Sequence, residues 1–159
     1  MDTTTTAERI IDTLRLQPLA VCSGYFRETW RDTASTVIYW LLPATHFSAL
    51  HAARYPEIFT YHSGAPLTLT LLDPDGRPTE HTLGPDLDAG HHPHLVVPAG
   101  VWQAAYTRGD HTLASVVVAP PFTPEVVEVG DAEVLAARYP RYAEEIRALC
   151  ARGRLGIEK

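Results

Sequence analysis

The chain has 159 residues, 45% of them hydrophobic and 20% charged, with a formal net charge of −6. That suffices for one domain with a buried core, and thirteen scattered Lys and Arg make no basic stripe for nucleic acid or an anionic membrane. Cys22 and Cys150 match no disulfide or metal spacing and MDTTTTAERI has no apolar signal core, so the expected setting is the cytoplasm and the expected partner a small molecule.

A helix is expected over residues 5–16, because Thr5 and Glu8 have the capping-box spacing and Ile10, Ile11 and Leu14 follow on one face, with Pro18 as the stop. From 22 to 120 the pattern is one of short β-rich runs: GYFRETW, STVIYWLL, HFSALHA, EIFTYHS, PLTLTLL, a strand near Thr79 to Leu83, HLVV, WQAAYT and TLASVVVA. DPDG, GPDLDAG, PAG and RGD supply turn chemistry between them, and strands at this spacing favour an antiparallel sandwich or barrel whose closure removes exposed edges. STVIYWLL is apolar at both parities, which predicts cover on both faces, one of them from a partner subunit. Helical spacing returns over 131–153, where Asp131 caps a short helix and Tyr142, Ile146 and Leu149 mark a second, both expected outside the barrel.

Two segments carry the chemistry. HAARYPEIFTYHSG places His51 six residues before Glu57, with Gly64 seven further on, and VVPAGVWQAA places Pro98 and Gly100 shortly before Gln103. These resemble the two signature segments of the cupin superfamily, the first of the form His-x-His, three or four residues, Glu, six residues, Gly, and the second Pro-x-Gly followed by His. Ala53 and Gln103 stand where two of the histidines belong. Read in order with GYFRETWR, the Leu83-Gly84 step and VAPPF at 118–122, the series resembles the cupin 5 family, a branch of uncharacterised function, over roughly residues 7 to 140. The resemblance implies an all-β double-stranded β-helix, or jelly-roll barrel, with flanking N- and C-terminal helices, an internal pocket and a homodimer. AVCSGY at 20–25 replaces the family's His-Pro-Glu-Gly-Gly-Tyr, so a polar corner has become apolar, as for a specialised substrate.

A catalytic metal wants three or four imidazole or carboxylate donors, and an amide is a poor substitute. A divalent metal held by His51, Glu57 and Gln103, with His62 in reserve, is therefore the alternative to a site with no cofactor. HHPH at 91–94 reads as exposed loop histidines. Strand alternation puts Glu57, Phe59 and Tyr61 on one face, which the resemblance turns into the barrel beside His51 and Gln103. A carboxyl among aromatic rings is pushed up toward the range useful for proton transfer; the bland alternative is that Glu57 and His51 merely satisfy each other. Arg27 and Glu28 are adjacent, so one of them faces inward. The expectation is Tyr25, Arg27 and Thr29 inward, with Arg27 anchoring a carboxylate or enolate, against a surface salt bridge. Trp30, Trp40 and Trp102 are read as core or interface residues, and Cys22 and Ser23 lack a base to make them nucleophiles. The functional expectation is a metal-independent acid/base enzyme of isomerase, epimerase or cyclase type acting on a small, partly apolar carbonyl compound of specialised metabolite biosynthesis; a metal-dependent oxygenase or lyase and a noncatalytic hydrophobic-metabolite binding protein are its rivals.

Overall fold

A computed structural model describes residues 4–151. The first helix, α1, spans Thr6–Leu14; the Thr5 hydroxyl accepts from the Glu8 amide at 3.2 Å while the Glu8 carboxylate accepts from the Thr5 amide at 2.6 Å. It ends before the expected residue 16, because Arg15 takes a left-handed conformation and closes the last turn. The expected strands follow as β2 (Tyr25–Arg31), β3 (Thr36–Pro43), β4 (Ser48–Ala53), β5 (Glu57–Gly64), β6 (Leu67–Leu72), β7 (Pro78–Leu83), β8 (His94–Val97), β9 (Trp102–Thr107) and β10 (His111–Val118). Two more, β1 (Gln17–Pro18) and β11 (Val127–Val129), are too short to leave a periodic signal. Helices α2 (Ala132–Arg138) and α3 (Ala143–Ala151) complete the order; Arg152 and Gly153, the expected end of the last helix, lie outside the described residues.

The strands form two antiparallel sheets, ordered β1-β2-β3-β10-β5-β8 and β11-β4-β9-β6-β7. Alternation gives each an inner apolar face. Trp40, Leu42, Phe59, Val116 and Val118 from the first sheet meet Leu67, Leu69, Leu83 and Ala105 from the second in one buried cluster. The outer face of the five-stranded sheet is apolar as well: Leu50, Ala52, Trp102 and Ala104 pack beneath Leu135, Ile146 and Cys150 of the C-terminal helices. Asp131 caps α2 by accepting from the amides of Glu133 and Val134, both at 3.0 Å.

On the six-stranded sheet, β3 is apolar on both faces for different reasons. Its inner face fills the core, whereas on the outer face Leu41 is sealed and Val37 and Tyr39 are half-buried. Trp30, expected in the core or at an interface, is 55% exposed there and does not belong to the core. Irregular pairing between Glu28 and Trp30 sets it opposite Val37 on that face.

The connection between β1 and β2 has little freedom at its end. Gly24 sits at φ +80°, and an added Cβ would lie 2.6 Å from the Leu41 carbonyl oxygen and 2.9 Å from Trp40 Nε1. Gly24→Ala should therefore cost about 2 kcal/mol or more, from left-handed backbone and steric conflict together, and lower the thermal unfolding midpoint by roughly 4–8 °C. An unchanged midpoint would mean that this connection is not held as described.

Candidate functional site

Toward one end of the core, polar side chains replace apolar ones. Glu57, the first residue of β5, projects between the sheets; His51 and Gln103 are direct partners on β4 and β9 of the opposite sheet. All three are buried. They face a cavity of about 150 Å³ whose other walls include Phe26, Ile38, Trp40, Phe59, Val116 and Phe122.

A shift of pairing between Ser48 and His51 makes this possible. Strict alternation along β4 would send Ser48 and His51 to opposite faces, yet both line the cavity while Leu50 and Ala52 pack under the helices. Re-aiming side chains is what such bulges do. The His51 ring is fixed by a 2.7 Å hydrogen bond to the Ala49 carbonyl. A carbonyl only accepts, so Nδ1 carries the hydrogen and Nε2 is the nitrogen left to exchange a proton.

Glu57 Oε2 accepts from Gln103 Nε2 at 3.1 Å. Burial drives the Glu57 carboxyl upward from its ordinary value; the charge of His51 and the Gln103 hydrogen bond offset that only in part. The direct side-chain partner of Glu57 is thus Gln103, with His51 acting on it through charge. Cys22 also lines the cavity, and burial, then the charge of Glu57, pushes its thiol far above the usual range, which leaves it un-ionised and a poor nucleophile at neutral pH.

The inward parity of β2 is opposite to the expectation. Phe26 and Glu28 line the cavity, whereas Arg27 is exposed and donates to the Leu14 carbonyl at 3.3 Å. Tyr25 packs edge-on against His46 with ring centres 5.5 Å apart, and exposed Thr29 donates to the Val37 carbonyl. Alternation fixes which residues share a face but not which face turns inward. The register supplies that choice, since Glu28 lies opposite Ile38, another cavity residue. Glu28 pairs with Arg31 at 2.7 Å, and Arg31 also donates to the Phe122 carbonyl at 2.7 Å, which ties β2 to the segment that follows β10.

Phe59 reaches the cavity as expected and meets Trp40 edge-on, ring centres 5.8 Å apart. Tyr61 packs against the core further along the strand, outside the cavity, and donates to the Gly64 carbonyl at 2.7 Å. His62 is exposed and bonded to Ser115, so it cannot join His51 and Glu57. Ser48, Glu28 and Cys22 are cavity residues that composition alone does not single out. His94 opens β8 instead of belonging to a loop, though it and His92 are exposed.

Two antiparallel sheets closed around a small cavity with a polar floor define a jelly roll of the cupin kind. The chain belongs to the cupin 5 family: the family model described as Cupin superfamily (DUF985) matches residues 8–130. A Shewanella oneidensis protein solved as a structural-genomics target is similar at 28% identity, with a TM-score of 0.83, over 92% of this chain and 98% of that one. A hypothetical protein from Leishmania major is similar at 24% identity and a TM-score of 0.84, over 92% and 99% of the respective chains. Oxalate decarboxylase from Bacillus subtilis shares the fold at 18% identity and a TM-score of 0.59; 83% of this chain corresponds to 36% of that one. No curated protein matches the chain. Among the described residues no helix is long and apolar enough to cross a membrane.

Cupin relatives include metal-dependent proteins, so the donor set needs testing against a metal. His51 offers one nitrogen and Glu57 one carboxylate, and the third group, Gln103, is an amide already donating to that carboxylate. Among the described residues no three His, Cys, Asp or Glu side chains gather at one point. This set does not fit the three strong donors a catalytic transition metal needs.

The raised Glu57 carboxyl has a stability signature. Folding takes up a proton wherever pH lies between the ordinary carboxyl value of 4.5 and the raised one. The stabilising contribution of protonated Glu57 is full below that window and is lost as pH rises through it. Thermal melts of wild type and Glu57→Gln across pH should show the variant gaining relative stability as pH increases above 4.5 and then levelling off. A pH-independent difference would show that the carboxyl is not desolvated.

Proposed function

We propose that the protein is an enzyme that moves a proton next to a carbonyl group without a metal, in the manner of an isomerase, epimerase or cyclase. The observation that carries this reading is a buried carboxyl, raised above its ordinary value, bonded to an amide and set near an imidazole in an otherwise apolar cavity. Glu57 Oε2 is engaged by Gln103, which leaves Oε1 to take a proton from carbon and return it to the same or a neighbouring atom. The second N–H of the Gln103 amide is available to an enolate oxygen, and His51, when protonated, adds charge stabilisation from the same side.

The charges of the cavity also narrow the substrate. Glu28 and Glu57 are its ionisable acids, while Arg27, the expected carboxylate anchor, lies outside. The Glu28 carboxylate is already paired with Arg31, and the described lining has no Arg or Lys to hold an anion beside Glu57, which favours a neutral carbonyl compound over an acid. The apolar walls equally suit a noncatalytic receptor for the same class of molecule, which would bind it and leave its protons in place.

Deuterium incorporation next to the carbonyl of a panel of small ketones in heavy water separates the two. The enzyme reading expects exchange above the buffer rate, falling about 10²- to 10⁴-fold in Glu57→Gln with an unaltered circular dichroism spectrum. Binding without exchange would establish the receptor instead.

A further inference from the structure

The wall that closes the cavity on one side is itself the wall of a second space. Leu19, Val21 and Cys22 line the inner cavity and also an outer cleft of about 600 Å³. They belong to the β1–β2 connection, whose ends are fastened: the Leu19 amide donates to the Gly24 carbonyl at 2.9 Å, and Trp40 Nε1 donates to the Ser23 carbonyl at 3.0 Å. Ser23 and Gly24 both adopt left-handed backbone, at φ 65° and 80°. Among the described residues no hydrogen bond reaches Ala20, Val21 or Cys22, so apolar contact is what seats the middle of the connection.

Size and charge fit one molecule spanning both spaces. A cavity of about 150 Å³ accommodates a body the size of benzene. The outer cleft, in the range of ordinary ligand sites, is walled by Phe47, Ala49, Val129 and Ala132, with His46 at its edge, and among the described residues its lining has no Asp, Glu, Lys or Arg. Neither compartment alone offers both a reacting group and room for a sizeable apolar body.

We infer that the cavity and the cleft form one bipartite site for an amphiphilic carbonyl compound, its head at Glu57 and its apolar chain or second ring passing Val21 and Cys22 into the outer cleft. This rests on the reading that Glu57 faces a neutral carbonyl. The connection over residues 19–24 then acts as a partition that yields to the chain, between two fastened ends.

Titration of the full-length protein with 2-pentanone, 2-heptanone and 2-nonanone, followed by NMR shifts, tests it. Affinity should climb with length, approaching fourfold per methylene where the chain is fully buried. Val129 is 63% exposed, so Val129→Trp narrows the cleft at little cost to folding; Ala20→Trp, also at an exposed position, is an independent block. Either variant should leave 2-pentanone binding unchanged and weaken 2-nonanone at least tenfold. Equal affinities along the series, or blocked variants that bind 2-nonanone as wild type does, would overturn the bipartite site while leaving the Glu57 reading intact. If no ketone binds, the Glu57 reading fails and the bipartite site with it.

Discussion

A carboxyl group placed between two apolar sheets loses its water, and the structure must either let it keep a proton or supply partners for its charge. Glu57 is treated in both ways at once: burial raises the carboxyl, while Gln103 and His51 draw it part of the way back. Removing a partner from such a group costs the full desolvation of what remains, on the order of 1–3 kcal/mol, so the three side chains are coupled energetically. Because Glu57 comes from one sheet and the other two from the opposite one, the Glu57–Gln103 bond also crosses the core. The packing of the sandwich and the raised carboxyl are therefore a single property.

The elements behind the site exist to keep that geometry. Trp102 and Ala104, which flank Gln103 along β9, are locked under the C-terminal helices, so Gln103 has little room to turn away from the lumen. On β4 the bulge delivers His51 inward and Leu50 outward, and β11 covers the strand's free edge by pairing Val129 with His51. The outer cleft thus shares backbone with the histidine.

Nine strands and three helices are legible from alternation, capping and turn residues, because those signals are local. The pairing of the sheets is not local, and it comes from the cupin 5 resemblance, as does the placing of His51, Glu57 and Gln103 together. Arg27 and Glu28 mark the limit of such reasoning. Period-two alternation ties Arg27 to Tyr25 and Glu28 to Phe26, but nothing within GYFRETW says which pair faces inward; only the register with Ile38 does. Tyr61 fails differently. It keeps the parity of Glu57 and Phe59, yet the cavity ends before it, since a barrel's inner face extends beyond any one pocket. Trp30 is legible as a large apolar residue, but the choice between core and surface depends on what lies across the sheet.

The smallness of the inner cavity carries a consequence for how such a scaffold changes its preferences. Ala105, Val116 and Val118 form part of the lining without joining the polar trio. A single methylene gained or lost on a snug hydrophobic wall is worth about 1–3 kcal/mol of discrimination. Exchange of aliphatic side chains at these positions would change what the cavity accepts while leaving Glu57, His51 and Gln103 as they are.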